Sequence, residues 1–332
     1  MKIRIATRKS ALALAQTRLV ASWLKALEPS IDVEEVHVVT TGDRVQDVPL
    51  SEVGGKGLFV TELERKLQDG DCDLAVHSLK DVPAELAEGL TLAAVPARED
   101  PRDALVTADG RAIEALREGA VVGTSSLRRR CQLLAVRPDL RIEPLRGNVD
   151  TRLRKLREGQ YDAIVLAVAG MRRLGVAAEH VAIDPTVMVP AAGQGALGLE
   201  TRDDRGDVHR LVAQLDHEPT RIEVEAERTM LRVLGGSCQL PIGGHATVPP
   251  PQDPSKYAIS IIGLVASPDG ASRVSSRIVE AAIDARDVTY ALARARELGT
   301  ELAERLLADG ARAFVDDAAK LVRGPHLPPP RA

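Results

Sequence analysis

Three segments in the middle of the chain end an apolar run in small residues and then present arginines. They are Gly123-Thr-Ser-Ser-Leu-Arg-Arg129, Leu145-Arg-Gly-Asn148 with Thr151-Arg152, and Ala169-Gly-Met-Arg-Arg173. A helix that opens after a strand exposes free N–H groups and the positive end of its dipole. Arginine adds a planar charge that grips a carboxylate or phosphate through two hydrogen bonds. Arg128, Arg129, Arg146, Arg152 and Arg173 are therefore candidates for one anion site, converging if the three strand ends point the same way. Arg130 and Arg172, the spare members of the runs, are expected to face solvent. A fourth strand end, Ala75-Val-His-Ser-Leu-Lys-Asp-Val-Pro83, puts Asp81 in the same layer. Nearby positive charge favours the ionised form of a carboxylate. Asp81 is thus suited to stabilise a cation formed in a reaction, or to shuttle a proton if partly buried; an isolated Asp after a strand reads equally well as an N-cap.

Cys72, Cys131 and Cys238 form no CxxC pair and have no regular spacing, which excludes a disulfide framework and a thiolate zinc site and points to a reducing compartment. Cys72 lies between two aspartates, which disfavours a thiolate. Cys131 sits among arginines, where it is either activated or packed inside. Cys238 lies in Gly235-Gly-Ser-Cys-Gln-Leu-Pro-Ile-Gly243, where glycines let a ligand approach the sulfur, so it is the candidate for covalent chemistry. The seven histidines contain no HExxH and no pair at helical spacing, so no metal site is expected, and His77 reads as structural. Gly193-Gln-Gly-Ala-Leu-Gly198 fits GxGxxG, but Pro190 interrupts the preceding run and no helix opens at the glycines, against a dinucleotide site. Val53-Gly-Gly-Lys-Gly57 has Leu50 and Gly57 where a phosphate loop needs glycine and a hydroxyl. It reads as a loop whose lysine swings over a ligand.

These residues need elements to position them. Ile3–Ala6 reads as a strand, Ser10–Leu27 as a helix capped by Ser10, Val33–Val39 as a strand, Leu58–Leu67 as a helix and Leu74–Val76 as a buried strand. The alternation restarts after Pro101, with strands at Ala104–Val106, Val121–Gly123, Arg141–Leu145 and Ala163–Val168. This is the grammar of two mostly parallel α/β units. From Arg221 the pattern changes to a helix through Leu234, strands at Tyr257–Val265 and Ser272–Val279, and a helix over Asp284–Ala308, which predicts a small α+β domain. Residues 248–254 hold four prolines and read as a loop, and 324–332 as a disordered tail.

The chain has 332 residues, enough for about two or three domains. Only six residues are aromatic, so the cores are aliphatic and a base-stacking surface is excluded. The net charge of −4 conceals an excess of twelve Arg or Lys over five Asp or Glu between Gly123 and Arg173. A basic patch on an acidic chain suits an anionic ligand rather than a DNA-coating surface. The N-terminus lacks the apolar stretch of a signal peptide and no run is long enough to span a membrane, so the expectation is cytoplasmic.

Taken in order, Ala6-Thr-Arg-Lys-Ser10, Val53-Gly-Gly-Lys-Gly-Leu-Phe59, His77-Ser-Leu-Lys-Asp-Val-Pro83, Arg98-Glu-Asp-Pro-Arg-Asp103, Gly123–Arg129, Leu145–Asn148, Glu227-Arg228 and Gly236-Ser-Cys-Gln-Leu-Pro241 resemble the hydroxymethylbilane synthase (porphobilinogen deaminase) family. The resemblance implies an enzyme that joins four porphobilinogen molecules head to tail, losing ammonia at each step, and releases a linear tetrapyrrole. It implies a dipyrromethane cofactor on Cys238 through a thioether, with Lys80, Asp81, Thr124, Ser126, Arg128, Arg129, Arg146 and Gly147 around it and no metal. Asp81 would be the catalytic carboxylate. Arg8, Ser10, Lys56, Phe59, Arg146, Arg152, Arg173 and Gln194 would hold substrate. The implied fold is two α/β domains of the type II periplasmic-binding-protein kind with mostly parallel sheets, plus a small C-terminal α+β domain. Domain one would comprise 1–101 and 196–217, domain two 102–195 and domain three 218–323. The implied protein is a cytoplasmic monomer without nucleic-acid or membrane partners. Leu240 and the Pro-rich stretch depart from the family pattern. A two-lobed, non-catalytic binding protein for an anionic small molecule is the alternative.

Overall fold

The structure is a computed structural model that describes residues 1–44, 57–204, 206–236, 240–250, 253, 255–284 and 286–323. Lys56, Cys238, residues 53–56 of the glycine-rich loop, three residues of the Pro-rich stretch and the tail 324–332 lie outside the described residues.

The first sheet holds β1 (Lys2–Arg8), β2 (Asp32–Val38), β3 (Leu74–Ser78), β4 (Leu90–Ala94) and β10 (Leu197–Arg202), in the order β2-β1-β3-β10-β4. β1 pairs in parallel with β2 and β3, whereas β10 runs antiparallel to both its neighbours. The apolar residues Ile3, Ile5, Leu74, Leu197 and Leu199 bury against Val20 and Leu24 of the helix Ala11–Leu27. Ser10 caps that helix, its hydroxyl accepting from the Ala13 N–H at 3.3 Å.

The second sheet repeats the design with β5 (Asp103–Val106), β6 (Val121–Gly123), β7 (Arg141–Glu143), β8 (Ala163–Ala167) and β9 (His180–Ala182), ordered β7-β6-β8-β5-β9. Here β6 is parallel to β7 and β8, and β5 is antiparallel to β8 and β9. In both sheets four strands run one way and one runs against them. The antiparallel strand takes part in half of the pairings in each sheet, so "mostly parallel" describes strand direction better than pairing. In the second lobe that strand is the first to enter; in the first lobe it is the last, β10, arriving after the whole second sheet.

The third unit is an antiparallel sheet of β11 (Ile242–Thr247), β12 (Lys256–Ala266) and β13 (Arg273–Asp284). Against it pack the helices Glu218–Val233, Val288–Ala308 and Ala311–Arg323, which share one aliphatic core. β13 runs on to Asp284, so the long helix starts at Val288 behind an Asp287 cap rather than at Asp284. β4, β9, β10 and β11 were not legible as strands. β9 has three residues, and β10 buries Glu200 and Thr201 where apolar side chains are the rule.

A buried carboxylate ties the three units together. Glu227, fully buried on the helix Glu218–Val233, accepts from Arg98 Nη1 at 2.7 Å and from the backbone N–H groups of Gly193 and Ala246, each at 2.7 Å. Residues 98 and 193 lie on the two stretches of chain that connect the lobes. At Gly195, φ is +90° and an added Cβ would stand 2.3 Å from the Glu99 carbonyl oxygen, so only glycine fits this crossing.

Candidate active site

The strand ends that carry the arginines do point the same way, because β6, β7 and β8 are mutually parallel. Ser126 caps the helix Leu127–Val136, its hydroxyl accepting from the Arg129 N–H at 3.4 Å. Thr124, buried, accepts from the Ser126 N–H at 3.2 Å, and Ser125 bonds both backbone groups of Leu145, which locks the first loop to the second. Gly147 takes φ +109°, and its carbonyl accepts from Arg152 Nε at 2.8 Å.

Beneath the arginines lies a residue that sequence reasoning missed. Asp103, at the start of β5 and fully buried, accepts from Arg128 Nη1 at 2.7 Å, Arg129 Nε at 3.0 Å and Nη2 at 2.7 Å, and Gln194 Nε2 at 2.9 Å. The two guanidiniums more than offset its burial and hold its carboxyl far below the usual range. Gln194 in turn accepts from Lys80 Nζ at 3.2 Å, so one buried chain of contacts runs from the arginine helix to the residue beside Asp81. The only sequence signal for Asp103 was its place in the ordered resemblance. An Asp among apolar residues at a strand start gives no hint of the cations above it.

The arginines are not equivalent. All three Arg129 nitrogens are engaged by Asp103 and the Val165 carbonyl, so it acts mainly as fixed charge. Arg128 uses Nη1 alone, on Asp103 and the Val189 carbonyl. Arg152 and Arg173 bond only the carbonyl oxygens of Gly147 and Gly195 and have no carboxylate partner among the described residues. Burial pulls each of them down to about 10, with the neighbouring cations Arg129 and Arg146 adding to the effect at Arg152. Arg146 is half-buried beside Arg152. Arg172 lies outside, 54% exposed and paired with Glu99 at 2.8 Å. Arg130 corrects the expectation of a solvent-facing side chain: it is half-buried, in the field of Asp269 on the β12–β13 turn.

The first lobe supplies the other wall. Arg8, Ser10, Phe59, His77, Ser78 and Asp81 line one cleft at the C-terminal end of β1 and β3. Arg8 stacks 4.1 Å above the Phe59 ring and bonds Asp43 at 3.1 Å, so much of its charge is already answered. Asp81 ends the 3₁₀ turn Leu79–Asp81 and caps no helix. Partly buried, it receives no hydrogen bond from any described residue, while its charge reaches both Lys80 and Arg152. Burial pulls the Lys80 ammonium down to about 8 despite that carboxylate. Of the thiols, Cys131 is fully buried and pushed up to about 12, so it packs rather than reacts; Cys72 is buried and also raised.

Fold and site together define a two-lobed α/β protein with a third domain, in which Asp81 of one lobe lies in the field of Arg152 of the other, a cation with no carboxylate hydrogen-bond partner among the described residues. Profiles described as "Porphobilinogen deaminase, dipyromethane cofactor binding domain" and "Porphobilinogen deaminase, C-terminal domain" match residues 3–210 and 221–308. A porphobilinogen deaminase of Nitratidesulfovibrio vulgaris is 52% identical over 311 residues, 93% of this chain and 95% of the relative. One of Brevibacillus brevis is 49% identical over 311 residues, 93% of this chain and 95% of the relative. Among solved structures, a probable amino-acid ABC transporter extracellular-binding protein of Bacillus subtilis covers 65% of this chain and 90% of its own, at 12% identity and a TM-score of 0.41. The chain belongs to the porphobilinogen deaminase family.

Proposed function

We propose that the cleft between the lobes is where this chain exercises hydroxymethylbilane synthase activity, with Asp81 as the catalytic carboxylate. The activity is the stepwise head-to-tail condensation of four porphobilinogen molecules, with loss of ammonia and release of the linear tetrapyrrole. The observation that carries the reading is the pair Arg152 and Arg173: half-buried guanidiniums without a carboxylate partner among the described residues, pulled down by burial. Such a site is relieved by an anion. Porphobilinogen brings an acetate and a propionate, and a growing chain multiplies them.

The residues present fit a dipyrromethane, which carries the same acid side chains. Arg128 has nitrogens left for it, Arg129 and Arg146 contribute charge, and Thr124, Ser126 and the Gly147 backbone shape the loops around it; Cys238 is the proposed thioether anchor. When bound, the group supplies the primer on which the product is built. Lys80, held by Gln194 and pulled down to about 8, lends a tunable positive charge beside Asp81. Arg8, Ser10 and Phe59 form the substrate side with Arg152, Arg173 and Gln194, and Lys56, outside the described residues, is proposed to join them. Asp81, with no hydrogen bond to satisfy it, is free to hold the proton of a departing amine and to face the cationic ring left behind.

The same reading has one chain act alone in the cytoplasm on a small molecule, with neither nucleic acid nor membrane as partner. The test is intact mass together with ammonia release. The wild-type chain is expected to carry the mass of one dipyrromethane, and Cys131→Ser to keep it. Cys238→Ser is expected to show the bare polypeptide. A bare wild-type chain from a host that makes porphobilinogen, inactive toward it, overturns the reading.

A further inference from the structure

The first lobe buries a second acidic centre that the reading above does not use. Glu200, in the middle of β10 and fully buried, accepts from His77 Nε2 at 2.8 Å. Its other oxygen, Oε1, has no hydrogen-bond partner among the described residues. Among the described residues no Arg or Lys pairs with Glu200, and its one ion partner is the imidazole of His77. Glu64, on the helix Thr61–Gln68, stands next in line. Its carboxyl is raised by burial and by the charge of Glu200, and it accepts only from the Ala87 N–H at 3.3 Å. Arg228 adds a distant positive field, but its guanidinium is committed to the carbonyl oxygens of Val82, Pro83 and Ala84. On the cleft side, His77 faces Asp81 and Arg8.

A buried carboxylate whose ion partner among the described residues is an imidazole, with one oxygen left without a hydrogen bond, is a poor structural cement. The arrangement has the logic of a base oriented by a buried acid: Glu200 holds Nε2, Nδ1 makes no hydrogen bond to a described residue, and His77 is among the residues that line the cleft.

We propose that His77, oriented by Glu200, accepts the proton that each condensation releases, leaving Asp81 to serve the departing amine. This rests on the reading of the cleft given above. Joining two pyrroles forms one C–C bond. It breaks the C–N bond of one aminomethyl group, which reacts as its ammonium, and one α C–H bond of the other ring. Ammonia takes the C–N electron pair; the C–H pair returns to the ring and restores its aromaticity. The remaining proton passes to His77 Nδ1 and thence to the ammonia, which leaves as ammonium, so the histidine is regenerated in each cycle.

The test compares full-length wild type with His77→Gln, His77→Gly and Glu200→Gln, each checked by intact mass for its cofactor. His77→Gln is expected to lower kcat by about 100-fold with KM within about twofold. Added imidazoles are expected to restore His77→Gly at rates that rise with the basicity of the added base. Independently of turnover, spectra of nitrogen-labelled histidine are expected to show a carboxylate-bonded Nε2–H at His77 that vanishes in Glu200→Gln. A kcat near wild type in cofactor-loaded His77→Gln, or rescue indifferent to basicity, overturns the proposal. If the His77 variants fail to load cofactor, Glu200→Gln decides, and unchanged kcat there overturns it too. Wild-type chain that makes no product would instead overturn the functional reading, so the two failures are distinct.

Discussion

The two lobes share a strand order, and in each the antiparallel strand delivers a fully buried carboxylate under the cleft: Asp103 at the start of β5 and Glu200 within β10. What surrounds the two is opposite. Asp103 is overmatched by Arg128 and Arg129, so its proton is gone across any working pH and it serves as a rigid footing for cations. Glu200 pairs with one histidine among the described residues, and burial together with the charge of Glu200 raises the carboxyl of Glu64. In the proposed reading, one topology serves anion holding on one wall and proton handling on the other. The difference lies in counter-charges, which the backbone does not specify.

The comparison breaks most directly at Asp81, the open carboxylate of the proton-handling wall. Asp81→Asn is expected to fold, to keep the cleft, and to lose turnover by roughly 10²- to 10⁴-fold in an ammonia-release assay. Near-normal turnover would remove Asp81 from the chemistry and leave that wall without its main group. On the other wall, Asp103→Asn leaves two buried guanidiniums short of their counter-ion. It is expected to lower unfolding free energy by about 3–5 kcal/mol in chemical denaturation, whereas a loss under about 1 kcal/mol would show that Asp103 is not the footing.

Smaller effects sharpen the contrast. Arg152→Gln removes a half-buried cation that, among the described residues, has no carboxylate hydrogen-bond partner and is held by the Gly147 carbonyl alone. Its stability is expected to hold or rise while KM for porphobilinogen increases about 10- to 100-fold, the worth of one charged hydrogen-bond set of about 1.5–3 kcal/mol. An unchanged KM would place substrate elsewhere. Acidification is the mildest probe. Asp103 and Glu227 are lowered in the fold, so their stabilisation is complete above the ordinary carboxylate range and drains away as pH falls; for Glu227 the window runs from 4.5 to about 2. Glu64 is raised, so the penalty for its charged form is relieved as pH falls through its folded value. Hydrogen exchange on acidification is therefore expected to open β5 and the arginine helix before the Glu64 helix, and the reverse order would contradict these assignments.

Much of the site was legible beforehand because its residues sit where strands end, and apolar runs mark strand ends plainly. That Arg146 and Arg152 come within one field, with Arg129 beside them, followed from parallel strands alone. Asp103, Glu200 and the true standing of Arg130 did not. Each depends on a partner far along the chain: Asp103 on Gln194, Glu200 on His77, and Arg130 on the turn that holds Asp269. The contact of His77 with Glu200 was not legible either, because a lone histidine after a strand shows nothing of the glutamate that stands behind it.

By itself the sequence determined the element types, the aliphatic cores, the basic segment in an acidic chain and the order of motifs that marks the family. Those are local or cumulative properties, set by spacing and composition. Only the tertiary structure decided which charges meet. β10 crosses back to lie between β3 and β4 after the second lobe is complete, and that return puts Glu200 behind His77 and brings Gln194 to Lys80 and Asp103. Burial then makes those meetings matter, since a charge removed from water takes its protonation and its role from its few remaining neighbours.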